Sequence, residues 1–406
     1  MQTSWKSNTQ YRPPRLLLAA TVAATVRSFL LPFARHFQEQ GWRVDAMANG
    51  TSQDEACQSA FGRVWEAEWN RNPLHPQNLR MSSRIRQLAI EQEYDIVHVH
   101  TPVAAFVTRS ALNRLRRERK LQVLYTAHGF HFHPMGGFIR NKLFESLERR
   151  AAKWTDFLIV INQEDLRAAT DMKLIGLDRL RLMPGIGLDR LRYSSSLVSQ
   201  KELEHCYEEL GISAAIPVLL MVAEFVHRKR HADAIEAFAK LNHPQAQLLL
   251  VGSGPLLEPM KRLVERLSSA DRIHFLGQRN DVPVLIKVSR AVILPSTQEG
   301  LPQSILEAMS MGVPVIGSRI RGTTELLGQN AGFLVDVGDI DHLAQAMQSV
   351  IDDTAMAAAM GEAGRQQSEA YDLKHILRMH EELYEEALWL RRSKSLDPSQ
   401  HSMSQM

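Results

Sequence analysis

Cysteine is almost absent: among 406 residues only Cys57 and Cys206 carry a thiol, far apart and without a C-x-x-C spacing. A disulfide framework and a structural zinc site are therefore not expected, and a reducing cytoplasm fits best. Long apolar runs are missing too. The longest, Leu16 to Val26, is about half of the roughly 20 residues a membrane-spanning helix needs, and Arg27 interrupts it. It leads into Pro32 and a helical pattern with no small-residue cleavage site, so a secretory leader is not expected either. Charge of one sign is scarce: 48 Lys plus Arg stand against 45 Asp plus Glu, and a net charge of +3 implies no nucleic-acid partner. His128, His131 and His133 cluster, but no Cys, Asp or Glu accompanies them at ligand spacing, so no metal is expected there.

What is present is ordinary globular material, 44% hydrophobic and 23% charged, in a chain too long for one core. Short apolar runs alternate with amphipathic helical patterns: RLLLAAT (15–21), WRVDAMA (42–48), YDIVHVH (94–100), LQVLYTAH (121–128) and DFLIVIN (156–162). Continuous apolar strands separated by helices predict a parallel sheet covered on both faces. The pattern breaks in RLMPGIGLDRLRYSSSL (181–197), read as a linker. It restarts with IPVLLMVAE (216–224), AQLLLVGSG (246–254), RIHFLG (272–277), SRAVILPS (289–296) and VPVIGS (313–318). The prediction is two doubly wound α/β domains, 15–195 and 213–371, then a helix over 372–392 packing back across them and a disordered polar tail, 393–406. Such sheets bind ligands outside the carboxyl ends of their strands.

The segment STQEGLPQSILEAMSMGVPVIGS (296–318) follows one of those strands. Leu301 and Pro302 suit the first turn of a helix, where the missing proline N–H costs nothing. Glu299 then lies in the loop before the helix and Glu307 in its first turns, where carboxylates can accept sugar hydroxyls beside N–H groups that attract phosphate. Taken alone, the spacing is better described by a cap and a solvated helix residue. Asp339-Ile340-Asp341 spells D-x-D but precedes a helix and reads as capping.

Read through to its glycines, EGLPQSILEAMSMGVPVIGS resembles the donor-binding motif of the GT-B glycosyltransferases of family 4. The resemblance runs from about Arg15 to Arg392 and implies two facing Rossmann-like domains with a central cleft. It implies that Glu299 contacts the donor sugar and Glu307 the ribose, with Gly300 and Leu301 supplying backbone. MVAEFVHRKRHADAIEAFAKL (221–241) looks like the family's first strand-loop-helix of the donor domain, so Lys229 aligns with the lysine that neutralises the diphosphate and Arg228 stands near it. The usual Gly-Arg pair is replaced by Ala223 and Glu224, and HRKRH (227–231) by itself is also compatible with a solvated loop. Gly277, Gln278 and Arg279 fall where the family holds its base. His128 matches the active-site histidine, and MPGIGLD (183–189) matches the domain junction, with Gly185 and Gly187 bordering the cleft. AATVAATVRSF (19–29) departs from the family by having no glycine.

The expected activity is a retaining, metal-independent transfer from a nucleotide-sugar, by family habit a UDP-sugar, to a glycan or polyprenyl-diphosphate-linked acceptor, the donor being substrate and no cofactor being required. Catalytic roles go to His128, Lys229 and Glu299. An epimerase of the same fold and a non-catalytic nucleotide-sugar-binding partner are the alternatives. RSALNRLRRERK (109–120), with six basic residues and one acid, and FIRNKLFESLERRAAKW (138–154) either sit on an anionic membrane surface or form solvated faces. The expected location is the cytoplasm, peripheral to the membrane's inner face.

Overall fold

A run such as Leu16-Leu17-Leu18-Ala19-Ala20 has no polar face to offer water, so as a strand it must be covered on both sides. In strand β1 (Arg15–Val22) all of these residues are buried. The computed structural model describes residues 12–70, 75–132, 137–328 and 330–393. Within them β1 is joined by β2 (Arg43–Asn49), β3 (Val64–Glu66), β4 (Ile96–Val99), β5 (Gln122–Ala127), β6 (Phe157–Val160) and β7 (Leu180–Leu182). The order is β3-β2-β1-β4-β5-β6-β7, parallel throughout. A second sheet contains β8 (Val218–Val222), β9 (Gln247–Val251), β10 (Ile273–Gly277), β11 (Ala291–Leu294), β12 (Val315–Ser318) and β13 (Gly332–Val335). Its order is β10-β9-β8-β11-β12-β13, again parallel. The two doubly wound sheets are those expected. Strands β3, β7 and β13 were not, because runs of three or four half-buried residues are too short to display a period.

The chain forms two units, one comprising 1–160, 165–182 and 377–406, the other 161–164 and 183–376. The division therefore falls between Leu182 and Met183 rather than at 195. Residues 183–195 are held by the second unit: Leu188 donates its N–H to the Tyr371 carbonyl (2.8 Å), Leu373 donates to the Leu188 carbonyl (3.0 Å), and the Ser310 hydroxyl donates to the Tyr193 carbonyl (2.8 Å). Their lack of period reflects backbone bridging, not a free linker. Of the tail 393–406 expected to be disordered, Ser393 is the last residue of a helix, and 394–406 lie outside the described residues.

Helix Leu373–Ser393 begins in the second unit and from Leu377 onward belongs to the first. Its aromatic face explains the docking. His380 meets Phe33 edge-on at 4.9 Å, and Tyr384 lies 4.9 Å from Phe37 and 5.9 Å from Trp42. The Tyr384 hydroxyl is 2.6 Å from His98 Nδ1, and His98 Nε2 is 2.7 Å from the Thr126 hydroxyl. Charged pairs fasten the flanks: Arg181 Nη2 donates to both Glu386 carboxylate oxygens at 2.8 and 2.9 Å, and Arg391 reaches the buried Asp95 at 2.5 Å. Both cysteines are buried and free, and burial pushes each thiol up to about 11.

Burial also pushes His98, His100, His128, His231 and His274 below the usual imidazole value, with neighbouring imidazoles adding to the effect around His98. These rings are neutral when folded and take up protons near pH 6.5 when unfolded, so stability is full above pH 6.5 and falls as the pH drops below it. A fully buried ring such as His98 or His100 contributes a slope of at most about 1.4 kcal/mol per pH unit, and the part-exposed His274 contributes less. The expected outcome is a clear fall in melting temperature between pH 7 and pH 5, before carboxylates titrate. A flat profile over that window would contradict the neutral buried cluster.

Candidate active site

In the second unit the loops after β8 and β11 converge. After β8, His227–Lys229 makes one tight turn and Arg230 takes a left-handed conformation (φ 53°) that starts helix His231–Ala239. That uncommon backbone for a non-glycine residue is braced by Arg230 pairing with Asp233 at 2.5 and 2.9 Å. The turn is tied to the end of β11, where Thr297 donates its N–H to the Arg228 carbonyl at 2.8 Å. As a result Lys229 Nζ lies 2.5 Å from Glu299 Oε1 and Arg228 Nη1 3.4 Å from the same oxygen. Glu299 and Lys229 are only 8% and 12% exposed, whereas Arg228 is 47% exposed. Burial lowers the Lys229 ammonium, Arg228 adds to that, and Glu299 opposes it. Two cations thus converge on one carboxylate, with Glu224 a further charge acting on Lys229, and together Lys229 and Arg228 can meet a diphosphate.

Helix Gln303–Ser310 opens next to this group. Pro302 is the extended residue before it (φ −73°, ψ 116°) instead of lying inside the first turn with Leu301. The first turn carries no acid, so its positive end is not neutralised. Glu307 is half-buried on that helix, and burial raises its carboxyl above the usual range against the lowering influence of Tyr193 and Arg192. Tyr193 is clamped by its carbonyl to Ser310, one turn from Glu307. Two glycines shape the loop Glu299–Pro302. A Cβ on Gly185 (φ 72°) would stand 2.6 Å from Leu301 Cδ2, and one on Gly322 (φ 77°) would stand 2.2 Å from the Gly300 carbonyl oxygen. Both close approach and left-handed backbone require glycine at these positions.

The remaining assigned residues are placed less directly. Gly187 packs on Leu373, where a Cβ would come within 2.6 Å of Cα. Gly277 ends β10 and accepts from the Gly252 N–H at 2.8 Å. Gln278 donates to the Ser253 hydroxyl at 2.9 Å, and Arg279 is committed to Glu209 (2.5 and 2.8 Å) and Asp281 (2.7 and 2.8 Å), which raise its pKa. Arg279 thus acts as a brace as it stands. Asp339 caps helix Ile340–Asp352 by accepting from the His342 N–H at 3.0 Å, and Asp341 pairs with Lys240 at 2.5 Å. Tyr193 and Gly322 were missed by sequence reasoning. Tyr193 was hidden in the aperiodic segment 181–197; the only signal for Gly322 was a glycine immediately before a short helix.

In the first unit His128 follows β5 and is half-buried. Its Nε2 lies 3.3 Å from His100 Nδ1, its ring stacks on Phe29 at 6.2 Å, and burial, with His380 adding, brings it down to about 4. His133 lies outside the described residues. The missing glycine turn is replaced by direct passage of β1 into helix Ala23–Phe29, with Val22 exposed. The basic stretch 109–120 presents less charge than its composition implies. Arg109 is buried, lies 4.1 Å over the Tyr125 ring and pairs with Glu148 at 3.1 Å, while Arg116 pairs with Asp156 at 3.0 Å. On helix Phe138–Ala152, by contrast, Phe138, Ile139 and Leu143 are exposed.

Comparison with known proteins gives the family. Residues 26–185 match the model described as Glycosyltransferase Family 4, and residues 208–367 the model described as Glycosyl transferases group 1. EpsD of Bacillus subtilis (strain 168), named as a glycosyltransferase, is 32% identical over 358 residues, 86% of this chain and 91% of that protein. An Escherichia coli UDP-Gal:alpha-D-GlcNAc-diphosphoundecaprenol alpha-1,3-galactosyltransferase is 30% identical over 66% of this chain and 70% of its own. The solved glycosyltransferase of Rickettsia africae ESF-5 superposes with a TM-score of 0.77 at 21% identity, covering 93% of this chain and 99% of that one. The chain belongs to the family 4 glycosyltransferases of GT-B fold and is a transferase.

Proposed function

We propose that the protein transfers a hexose or N-acetylhexosamine from a UDP-sugar to a glycan or polyprenyl-diphosphate-linked acceptor in surface polysaccharide synthesis, with retention and without a metal. The carrying observation is the convergence of Lys229 and Arg228 on buried Glu299 beside an acid-free helix start. Lys229, Arg228 and the helix N–H groups receive the diphosphate. Charge that develops as the sugar–phosphate bond breaks is then met by groups already in place. Glu299 contacts the sugar, with the Gly300 and Leu301 backbone beside it, and Glu307 accepts the ribose hydroxyls. Gly277, Gln278 and Arg279 border the base. On the resemblance we also assign His128 a contact to the transferred sugar. Acceptor attack on the face that the diphosphate leaves requires positioning rather than a covalent intermediate. The likeness to the Escherichia coli enzyme named for UDP-Gal and a diphosphoundecaprenol-linked acceptor supports the donor and acceptor classes. Family membership argues against the epimerase and the non-catalytic alternatives.

A membrane location is favoured by one observation. Exposed Phe138, Ile139 and Leu143 share a helix with Arg140, Lys142, Arg149 and Arg150. Apolar side chains next to cations suit an anionic bilayer surface. Among the described residues no helix is long and apolar enough to cross a membrane.

Lys229→Ala is expected to lower kcat roughly 100- to 1,000-fold, the usual effect of losing one preorganised charge-stabilising donor. Glu307→Ala should raise the donor KM roughly 10- to 100-fold with a smaller change in kcat. Radiolabelled transfer assays check both, and a folded Glu307→Ala protein with unchanged kinetics would sink the donor assignment. Transfer should survive EDTA; loss of activity that Mg²⁺ or Mn²⁺ restores would disprove metal independence. In sedimentation with phosphatidylglycerol vesicles the protein should pellet at low salt, Phe138→Asp/Ile139→Asp should not, and neutral vesicles should bind weakly; indifference to all three would remove the membrane reading.

A further inference from the structure

His100, just beyond the end of β4, is 3% exposed and anchored by its N–H to the Ala19 carbonyl at 2.9 Å. Its ring lies on that of His98, centroids 4.1 Å apart, and both His98 nitrogens are engaged by Tyr384 and Thr126. His100 Nδ1 is 3.3 Å from His128 Nε2, while His100 Nε2 is buried with no hydrogen-bond partner among the described residues. Burial keeps both rings neutral at pH 7, so each carries one proton.

A contact between two ring nitrogens requires one proton between them. If that proton sat on His128 Nε2, His100 would hold its own on Nε2, leaving a buried N–H with nothing to donate to. Orphaned N–H groups are what folded proteins avoid most consistently. With the proton on His100 Nδ1, the orphaned nitrogen is a bare lone pair, and His128 accepts at Nε2. The geometry points to His100 as a positioning residue that locks His128 in the Nδ1–H tautomer, making it a neutral hydrogen-bond donor rather than a base. A ring so fixed donates through Nδ1 to an oxygen of its ligand and cannot remove a proton from an acceptor hydroxyl there. The functional part of this inference rests on the assignment of His128 to the transferred sugar; the tautomer itself does not.

Long-range ¹H–¹⁵N spectra of the full chain labelled with ¹⁵N-histidine, at pH 7, test it. His128→Asn and His100→Asn spectra provide the assignments. The expected result is a protonated Nδ1 and a bare Nε2 on His128. A protonated Nε2, or two protonated nitrogens, would overturn the inference. His100→Phe keeps the bulk but removes the donor. It should shift His128 toward the Nε2–H form and lower kcat roughly tenfold with little change in donor KM. His100→Asn, whose amide retains an N–H near the Nδ1 position, should preserve both. Should His100→Phe not fold, the wild-type spectrum still decides. An Nδ1–H tautomer combined with full activity of His128→Ala would overturn only the sugar contact and leave the tautomer inference intact.

Discussion

Parallel strand pairing is the constraint on which everything else depends. Parallel neighbours cannot be joined by a tight hairpin; each must return through a crossover, so all carboxyl ends in a sheet share one edge. In the second unit that edge brings together residues 224–231, 252–254 and 297–302 from strands β8, β9 and β11. In the first it places His100 beyond β4 beside His128 beyond β5. The chemistry-bearing side chains are thus gathered by register, and local packing sets their final distances.

Electrostatic economy separates the two units. The second concentrates full charges, Lys229 and Arg228 on Glu299, where an anionic ligand adds favourable contacts. The first keeps His98, His100 and His128 neutral, since burying several charged rings together would be costly. The same burial is expected to make the first unit sensitive to acid. Tyr384 of the C-terminal helix belongs to the same cluster, completing the hydrogen bonding of His98.

Basic composition proved a poor guide to basic surface. Arg109 sits in the most charge-rich stretch of the sequence yet is a core residue, neutralised by Glu148 and stacked on Tyr125. Nothing in the spacing of RSALNRLRRERK distinguishes it from Arg117, which stays exposed. Arg279 is a similar case: its position after HFLG suggested a ligand contact, and it is held by two carboxylates.

The strong apolar runs and their alternation with helices determined the two-sheet α/β class from the sequence alone, because burial on both faces leaves a continuous signature. Short edge strands such as Val64–Glu66 and the attachment of 183–195 left none, being too brief or too irregular to show a period. Only tertiary structure decided that Lys229 and Arg228 share one carboxylate oxygen, that Ser310 fastens Tyr193, that Gly322 makes room for Gly300, and that His100 faces His128. Each of these is a contact between residues 22 or more positions apart, and sequence spacing carries no information about which distant side chains the crossovers bring to the same edge.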